Sequence, residues 1–427
     1  MTIEQLYAIF QQHPAIQTDT RKLRAGEIYL ALKGENFNGN QFASQALKNG
    51  AAFAIIDEAE YACDERCILV HDSLETLQLL ARHHRLQLNI PIIAITGSNG
   101  KTTTKELLTA VLSSQYKTIA TKGNLNNHIG VPLTLLSIPP DTEMAIIEMG
   151  ANHQKEIAAY CQWALPSHAI INNCGKAHLE GFGGIEGVRK GKGELYDFIR
   201  ESKGIIFRNA DYDYLATMAK GIEHQITYGT QQADYTGITL HNNATVQVAI
   251  TTPRLECTIR SQLVGDYNTA NIMAAVAVGD YFDIPIQKIK SSIEAYSPSN
   301  SRSQLIHAGT NTFIMDAYNA NPSSMQVAIQ NFIQYDSPNK IVILGGMKEL
   351  GEESIAEHQA IVDLLMTSNW NHVVLVGGDF EHTQHPYLYF SDVLAAKQWL
   401  HDTDPQQCAI LIKGSRAMTM EKIIDLS

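Results

Sequence analysis

The sequence has 427 residues, 44% of them hydrophobic, and a formal net charge of −12. That length allows roughly two to four domains with sizeable cores. The acidic balance argues against a general nucleic-acid or membrane-surface binder and leaves room for a local basic pocket around a phosphorylated ligand. No apolar run is long enough to span a bilayer, and the start, MTIEQLYAIF, has neither the basic opening nor the cleavage site of a secretory leader. Cys63, Cys67, Cys161, Cys174, Cys257 and Cys408 are scattered without zinc-ligand spacing and read as free thiols of a reducing cytoplasm.

Residues 2–13 read as a helix with Ile3, Leu6, Ile9 and Phe10 on one face. After Asp19-Thr20-Arg21-Lys22 and Gly26, a strand is expected over Ile28–Leu32, then a polar, glycine-marked loop from Lys33 to Asn40. Strand signals at Phe53–Ile56 and Cys67–Val70 complete a small α/β unit of roughly 85 residues. Arg21 and Lys33 fall in loops where a phosphate could be held, or are ordinary solvated cations. A helix is expected from Ser73, read as its N-cap, to about His84.

Pro91 opens a second unit. Ile92–Ile95 reads as a buried parallel strand, which breaks at Gly97 into a loop with a second glycine, Gly100, before Lys101, Thr102 and a helix. A glycine turn entering a helix N-terminus points backbone N–H groups at a phosphate, with Lys101 for the terminal phosphates and the Thr102 hydroxyl for Mg²⁺. The usual loop sets its first glycine at position 95, which is Ile95 here; the spacing is G-x-x-G-K-T. Thr121–Pro132, rich in small and amide residues, reads as a loop that either binds a polar ligand or lies on the surface. Met144–Met149 is apolar apart from Glu148, which either helps hold Mg²⁺ or faces solvent at the strand end. Ala169–Asn172 is a further strand, leading to His178, a metal ligand or a structural histidine. Read as a helix, Val188, Leu195 and Phe198/Ile199 form an apolar face on which Lys192 leans inward and needs a partner.

Residues 204–260 show strand alternation, as in Thr245–Ile250. Asn268 and Asn271 open an alanine-rich helix on one shared face, suited to an adenine edge, with N-capping as the alternative for one of them. Ser297–Ser303 reads as a hinge. A third α/β unit then follows, with strands at Phe313–Met315, Lys340–Leu344, Val373–Val376 and Ala409–Ile412, each ending in a polar or glycine-rich loop: a doubly wound sheet with its ligand edge at the strand C-termini.

Together these stretches resemble the Mur ligases of peptidoglycan synthesis. TGSNGKTTTKE matches that family's nucleotide loop, short spacing included. The resemblance covers nearly the whole chain through DTRKLRAGEIYLALKGENFNGNQFA, GNLNNHIGVP, EMGANHQKEI, AHLEGFGGIEGVRKGKGE, GDYNTANI, MDAYNANPSSM, LGGMKELGEES and IKGSRAMTME. It implies an α/β fold in three domains. Residues 1–88 would be a small uridine-nucleotide domain, 89–297 a central P-loop ATPase domain with a parallel sheet, and 298–427 a Rossmann-like ligase domain. DAYNANP and MKELGEES look like the branch that adds D-alanyl-D-alanine to UDP-N-acetylmuramoyl-tripeptide. The Asn-Pro-Arg motif of the lysine- or meso-diaminopimelate-adding branch does not occur. Ala317 departs from the serine that relatives commonly carry.

The resemblance further implies roles at matching positions. Gly97, Ser98, Asn99, Gly100, Lys101, Thr102 and Thr103 would hold ATP, with Asn268 and Asn271 at the adenine and Arg302 and Asp316 reaching it from the linker and third domain. Thr102, Glu148, His178 and Lys192, the last as an N-carboxylated lysine, would be the metal site for Mg²⁺; Lys190 is off the family register by two residues. Lys101, Glu148, His178 and Lys192 would carry the chemistry. Thr20, Arg21, Lys33 and Gly34 look like the uridine-nucleotide site, and Asn126, Asn127, Asn319, Asn321 and Arg416 like further substrate contacts. The implied protein is a cytoplasmic monomer with no nucleic-acid partner and no membrane insertion, whose third domain swings to close over ATP. A sister ligase adding one amino acid, or a nucleotide-gated binding protein without ligase activity, remain the alternatives.

Overall fold

The computed structural model describes residues 1–240, 245–251, 256–298 and 302–424, arranged around a four-, a nine- and a six-stranded sheet. In the first, Ile16–Gln17, Ile28–Leu30, Phe53–Ile56 and Cys67–Leu69 run parallel. Helix Ile3–Gln12 starts in a capping box between Thr2 and Gln5 and buries Leu6 and Phe10. The next long helix is Ser73–Gln87, and two details differ from expectation. Its N-cap is Asp72, whose carboxylate accepts the Glu75 N–H at 2.8 Å, and Ser73 is already helical and buried. It also continues past His84 to Gln87. The expected loop from Lys33 contains a small antiparallel ribbon, Lys33–Gly34 against Phe37–Asn38.

Helix Ser73–Gln87 also belongs to the neighbouring unit. It packs on helices Gly130–Leu136 and Glu156–Ala164. Arg85 near its end donates to the carbonyls of Leu88 (2.6 Å), Ala164 (2.9 Å), Leu165 (3.2 Å) and Ile90 (3.3 Å). A guanidinium at the carbonyl end of Glu156–Ala164 also meets that helix's negative pole.

In the nine-stranded sheet, Ile92–Thr96 lies between Met144–Glu148 and His168–Ile171, parallel to both. All residues of these strands are buried, as helices on both faces require. Thr118–Ala120 flanks one side, and Ile205–Asn209, His224–Gly229 and Tyr235–Leu240 extend the other before Gln247–Thr251 and Glu256–Arg260 finish it antiparallel. Helices Lys101–Leu112 and Asn268–Tyr281 pack together over one face through Leu107, Leu108, Val111, Ile272 and Val276. The loop expected over Thr121–Pro132 ends early: helix Gly130–Leu136 begins inside it. Pro132 sits in that helix's first turn, where a missing N–H costs nothing.

Helix Ile185–Ser202 carries Gly187, Gly191 and Gly193, each unfavourable in a helix by about 1 kcal/mol against alanine. Packing explains two of them. A Cβ on Gly187 would lie 1.8 Å from the Phe182 carbonyl oxygen, and one on Gly191 would lie 2.4 Å from the Phe182 ring. Phe182 is buried against the bare helix surface.

In the third sheet, Asn311–Asp316, Ala409–Lys413, Lys340–Gly345 and His372–Val376 are the four expected strands, adjacent and parallel. Two further strands lie at the edges: Gln304–Ala308, antiparallel, and Leu388–Phe390. The expected hinge falls partly outside the described residues, at 299–301. Among the described residues, no helix is long and apolar enough to cross a membrane.

Gly191→Ala is expected to lower stability by about 1–3 kcal/mol in urea denaturation, against alanine's helix preference. At Gly193 an added carbon finds its nearest neighbour at 3.4 Å, so Gly193→Ala is expected to be neutral or stabilising. Equal shifts in the two variants would remove Phe182 as the reason.

Candidate active site

The strand Ile92–Thr96 delivers its C-terminal end into the loop 97–100, and the helix Lys101–Leu112 starts at once. Gly100 caps that helix at φ +80°, a left-handed conformation that glycine adopts without strain. There is no space for a side chain either: a Cβ would lie 2.7 Å from Asn271 Oδ1 and 2.9 Å from Asn172 Nδ2. The helix's free N–H groups therefore open toward a cavity of about 680 Å³. Lys101 folds back on the loop, donating to the Gly97 carbonyl at 2.6 Å. Burial depresses its pKa, opposed by Glu148 and assisted by Arg302.

Glu148, at the end of its strand, is 1% exposed, which removes the solvent-facing alternative. Its Oε2 accepts from the Thr102 hydroxyl at 3.0 Å, its Oε1 from Asn126 Nδ2 at 2.7 Å, and its N–H donates to the Thr121 hydroxyl at 2.9 Å. Lys105 Nζ lies 3.9 Å from Oε2. A hydroxyl and a carboxylate in contact at a phosphate loop are the oxygen donors that Mg²⁺ takes, with phosphate and water completing its shell, so these residues fit the ion. Among the described residues, no group of three or more His, Cys, Asp or Glu is arranged to hold a metal.

Of the four residues expected at the metal, two are in contact, and the other two have partners elsewhere. Thr102 and Glu148 touch. His178 lines the cavity, and its Nδ1 is held by the Glu349 carboxylate, whose pKa that contact lowers. Lys192 is inward as expected, 1% exposed, with Nζ 3.3 Å from the Ala151 carbonyl and 5.1 Å from the Phe182 ring centre. Burial, then the nearby Lys101 charge, pushes its pKa down to about 7, against weaker opposing pulls from Cys174, Glu156 and Glu194.

Asn268 and Asn271 share a helix face, and neither is the N-cap, which is Tyr267. Their amides are engaged within the protein: Asn268 Nδ2 donates to the Val264 carbonyl (2.8 Å), Asn271 Nδ2 to Asn268 Oδ1 (2.8 Å), and Asn271 Oδ1 accepts from the Thr104 hydroxyl (3.0 Å). Asn172 Nδ2 joins the chain through Thr104 at 2.8 Å. This line of amides binds the helix Asn268–Tyr281 to the phosphate-loop helix.

The third unit supplies the cavity's far wall. Arg302 stacks on Tyr318, its guanidinium carbon 3.5 Å from the ring centre. Asp316, Asn319 and Asn321 line the cavity with it. Asn321 Nδ2 donates to Asn99 Oδ1 at 2.8 Å, and Ser323 Oγ accepts the Lys176 N–H at 2.8 Å. The ion pair of Lys176 with Glu357 and the hydrogen bond between His178 and Glu349 complete the contact. Ser98 to Thr103, Asn126 and Asn127 also face the cavity, and Asn127 caps the helix at Gly130 as well. Thr20, Arg21, Lys33, Gly34 and Arg416 do not line it. Arg21 pairs with Asp19 at 2.8 Å, Lys33 with Asp57 at 3.2 Å and Glu58 at 3.4 Å, and Arg416 with Glu421 at 2.8 Å. Sequence reasoning missed Asn172, Tyr318, Ser323 and Lys413 on the cavity wall. Lys413 alone left a signal, a lysine closing an apolar strand.

Sequence profiles of three domains match this chain: the Mur ligase family catalytic domain over residues 14–85, the Mur ligase middle domain over 95–279, and the Mur ligase glutamate ligase domain over 301–416. The UDP-N-acetylmuramoyl-tripeptide–D-alanyl-D-alanine ligase of Escherichia coli (strain K12) is 34% identical over 96% of this chain and 92% of its own length. The chain belongs to the Mur ligase family. The enzyme of the same name from Bacillus subtilis (strain 168) is 33% identical over the same shares. Among solved structures, MurF from Acinetobacter baumannii superposes with a TM-score of 0.88 at 31% identity, covering 99% of this chain and 97% of that one. MurF from Thermotoga maritima in complex with ADP gives 0.88 at 25% identity over 96% of both. In this Mur ligase the profile of the middle domain thus spans the phosphate loop, Glu148, His178, Lys192 and the paired asparagines, and the glutamate ligase profile spans Arg302, Asp316 and Lys413.

The Lys192 environment has a measurable consequence. The unfolded chain keeps this lysine protonated up to its ordinary value of 10.5, while the fold releases the proton from about 7 upward. The unfolded state therefore binds more protons in that window, and stability rises with pH through it. Lys192→Met is expected to remove about one proton of uptake on unfolding between about pH 7 and pH 9, read from urea midpoints in CO₂-free buffer. An unchanged slope would mean that the ammonium stays charged inside the fold.

Proposed function

We propose that this Mur ligase joins D-alanyl-D-alanine to UDP-N-acetylmuramoyl-tripeptide with ATP, releasing ADP and phosphate. The observation that carries the reading is a phosphate loop with Thr102 and Glu148 in contact, facing Arg302 and Asp316 of a third unit across one cavity. Likeness over nearly full length to ligases named for that reaction supports the choice of acceptor.

A carboxylate acylates an amine poorly because oxide would have to leave. In the proposed reaction the terminal carboxylate of the tripeptide attacks the γ-phosphate, giving an acyl phosphate and ADP. The dipeptide amine then attacks the acyl carbon, and phosphate leaves from the tetrahedral intermediate. The protein's part is to position and to neutralise charge. The N–H groups at the start of helix Lys101–Leu112 and the Lys101 ammonium take the phosphates, Lys101 exchanging the Gly97 carbonyl for a phosphate oxygen. Mg²⁺, held through Thr102 and Glu148, supplies further charge neutralisation when bound. Asn126 keeps the Glu148 carboxylate aimed at that position, while Thr121 holds the Glu148 backbone N–H. Neutral amine is the form that adds CO₂, losing a proton as the carbamate forms, and the lowered pKa of Lys192, which leaves part of it neutral near pH 7, supports its N-carboxylation. The pairs Lys176–Glu357 and His178–Glu349 would hold the site shut against water while the acyl phosphate exists.

The same proposal assigns the uridine nucleotide to Thr20, Arg21, Lys33 and Gly34, with the acidic partners of Arg21 and Lys33 giving way to phosphate. Asn319, Asn321 and Arg416 are proposed near the incoming dipeptide. Units of 1–88, 89–297 and 298–427, action as a monomer and a cytoplasmic site belong to the same reading, the last supported by its dependence on ATP.

Purified protein with Mg-ATP and UDP-muramoyl-tripeptide is expected to release phosphate when D-Ala-D-Ala is added. L-Lysine or meso-diaminopimelate with the dipeptide-stage nucleotide is expected to give none. Lys101→Met should lower turnover by about a hundredfold or more. Wild-type turnover should fall in CO₂-depleted buffer and recover with bicarbonate. Turnover with the single amino acids would move the enzyme one step earlier, and no acceptor-dependent turnover would sink the ligase reading.

A further inference from the structure

Lys413 ends the strand Ala409–Lys413 and is 2% exposed. A buried ammonium is costly unless it is paired, and its hydrogen-bond partners here lie in one neighbouring stretch. Parallel pairing sets Lys413 beside Asp316. Its Nζ donates to Asp316 Oδ2 at 2.5 Å, to the Asn319 carbonyl at 3.3 Å and to the Asp316 carbonyl at 3.5 Å. The other carboxylate oxygen, Oδ1, accepts the Ser303 N–H at 3.2 Å, and Ser303 Oγ in turn bonds the Tyr267 hydroxyl at 2.7 Å. A carboxylate oxygen has two lone pairs, so each keeps one acceptor position for a ligand. Asp316 and Lys413 both line the cavity into which the phosphate loop opens.

We propose that Lys413 is a positioning residue for the nucleotide, holding Asp316 in the one orientation that presents its free acceptor positions. This rests on the reading of Asp316 as an ATP contact. Lys413 and the Ser303 N–H clamp opposite oxygens, so the carboxylate cannot rotate without breaking one bond. The ammonium also offsets a negative charge that would otherwise stand near the polyphosphate, where at short range two like charges repel strongly in a poorly hydrated site. A lysine present only to fill space would be replaceable by methionine without a change in nucleotide affinity.

The test is direct titration of the full-length protein with Mg-ATP, for wild type, Asp316→Asn, Lys413→Met, Lys413→Arg and the double variant Asp316→Asn/Lys413→Met. Lys413→Met is expected to weaken ATP binding by about tenfold or more and to leave the KM for D-Ala-D-Ala within about twofold. Lys413→Arg, which keeps the charge, should recover part of the loss. The double variant should match Asp316→Asn to within about twofold, because the lysine acts through the carboxylate. Should Lys413→Met fail to fold with its carboxylate unpaired, the uncharged double variant carries the comparison. ATP affinity unchanged in Lys413→Met, or a double variant about tenfold weaker than Asp316→Asn, would overturn the proposal. Wild type that binds ATP but does not consume it with the dipeptide would refute the ligase reading and leave this one standing. Wild type that does not bind ATP would overturn both.

Discussion

Glu148 is an ionisable group at the end of a strand whose other residues, Met144 to Ile147, are apolar and buried. Such a group must be matched by partners brought to it, because so little of it is exposed to water. The partners come from separate stretches of the chain. Thr102 and Lys105 lie on the phosphate-loop helix, Thr121 and Asn126 on the connection that follows the neighbouring strand. Through its carboxylate and its backbone N–H, Glu148 therefore ties the phosphate-loop helix and the path of that connection together. At the phosphate loop, Asn172 and Asn271 approach Gly100 so closely that a Cβ there would lie 2.9 Å from the first and 2.7 Å from the second.

The contact between the second and third units is of a different kind. Its polar part is made at loop ends: Asn99 with Asn321, Lys176 with Ser323 and Glu357, His178 with Glu349. Polar contacts between partly exposed groups contribute little each. Apolar contacts also cross the boundaries: one buried cluster takes in Leu77 and Leu80 of the first unit, Ile157 and Leu179 of the second and Met347 and Leu350 of the third.

Local signals carried much of the architecture. Apolar runs ending in glycine or amide loops located the buried parallel strands, and the strand–glycine–helix order located the phosphate loop. A carboxylate closing an apolar strand located Glu148, and helical spacing turned Lys192 inward. What was not legible depends on distance along the chain. Lys413 and Asp316 are separated by 97 positions, and Thr104 and Asn271 by 167. Neither pairing leaves a local trace. The edge strands Gln304–Ala308 and Leu388–Phe390 are half exposed and short, so their composition resembles that of loops. The glycines at 187 and 191 oppose helix formation when read locally, and only the position of Phe182 makes sense of them. The pairing of His178 with Glu349 joins two units, and a single unit's sequence holds half of it.

Arg85 has a mechanical consequence. Its guanidinium spans four carbonyls drawn from both sides of the junction between the first two units. Rotation about that junction would strip several charge-assisted bonds at once from a half-buried cation, and it would also separate helix Ser73–Gln87 from the two helices it lies on. The junction is thus a weld, and the first two units form a single frame.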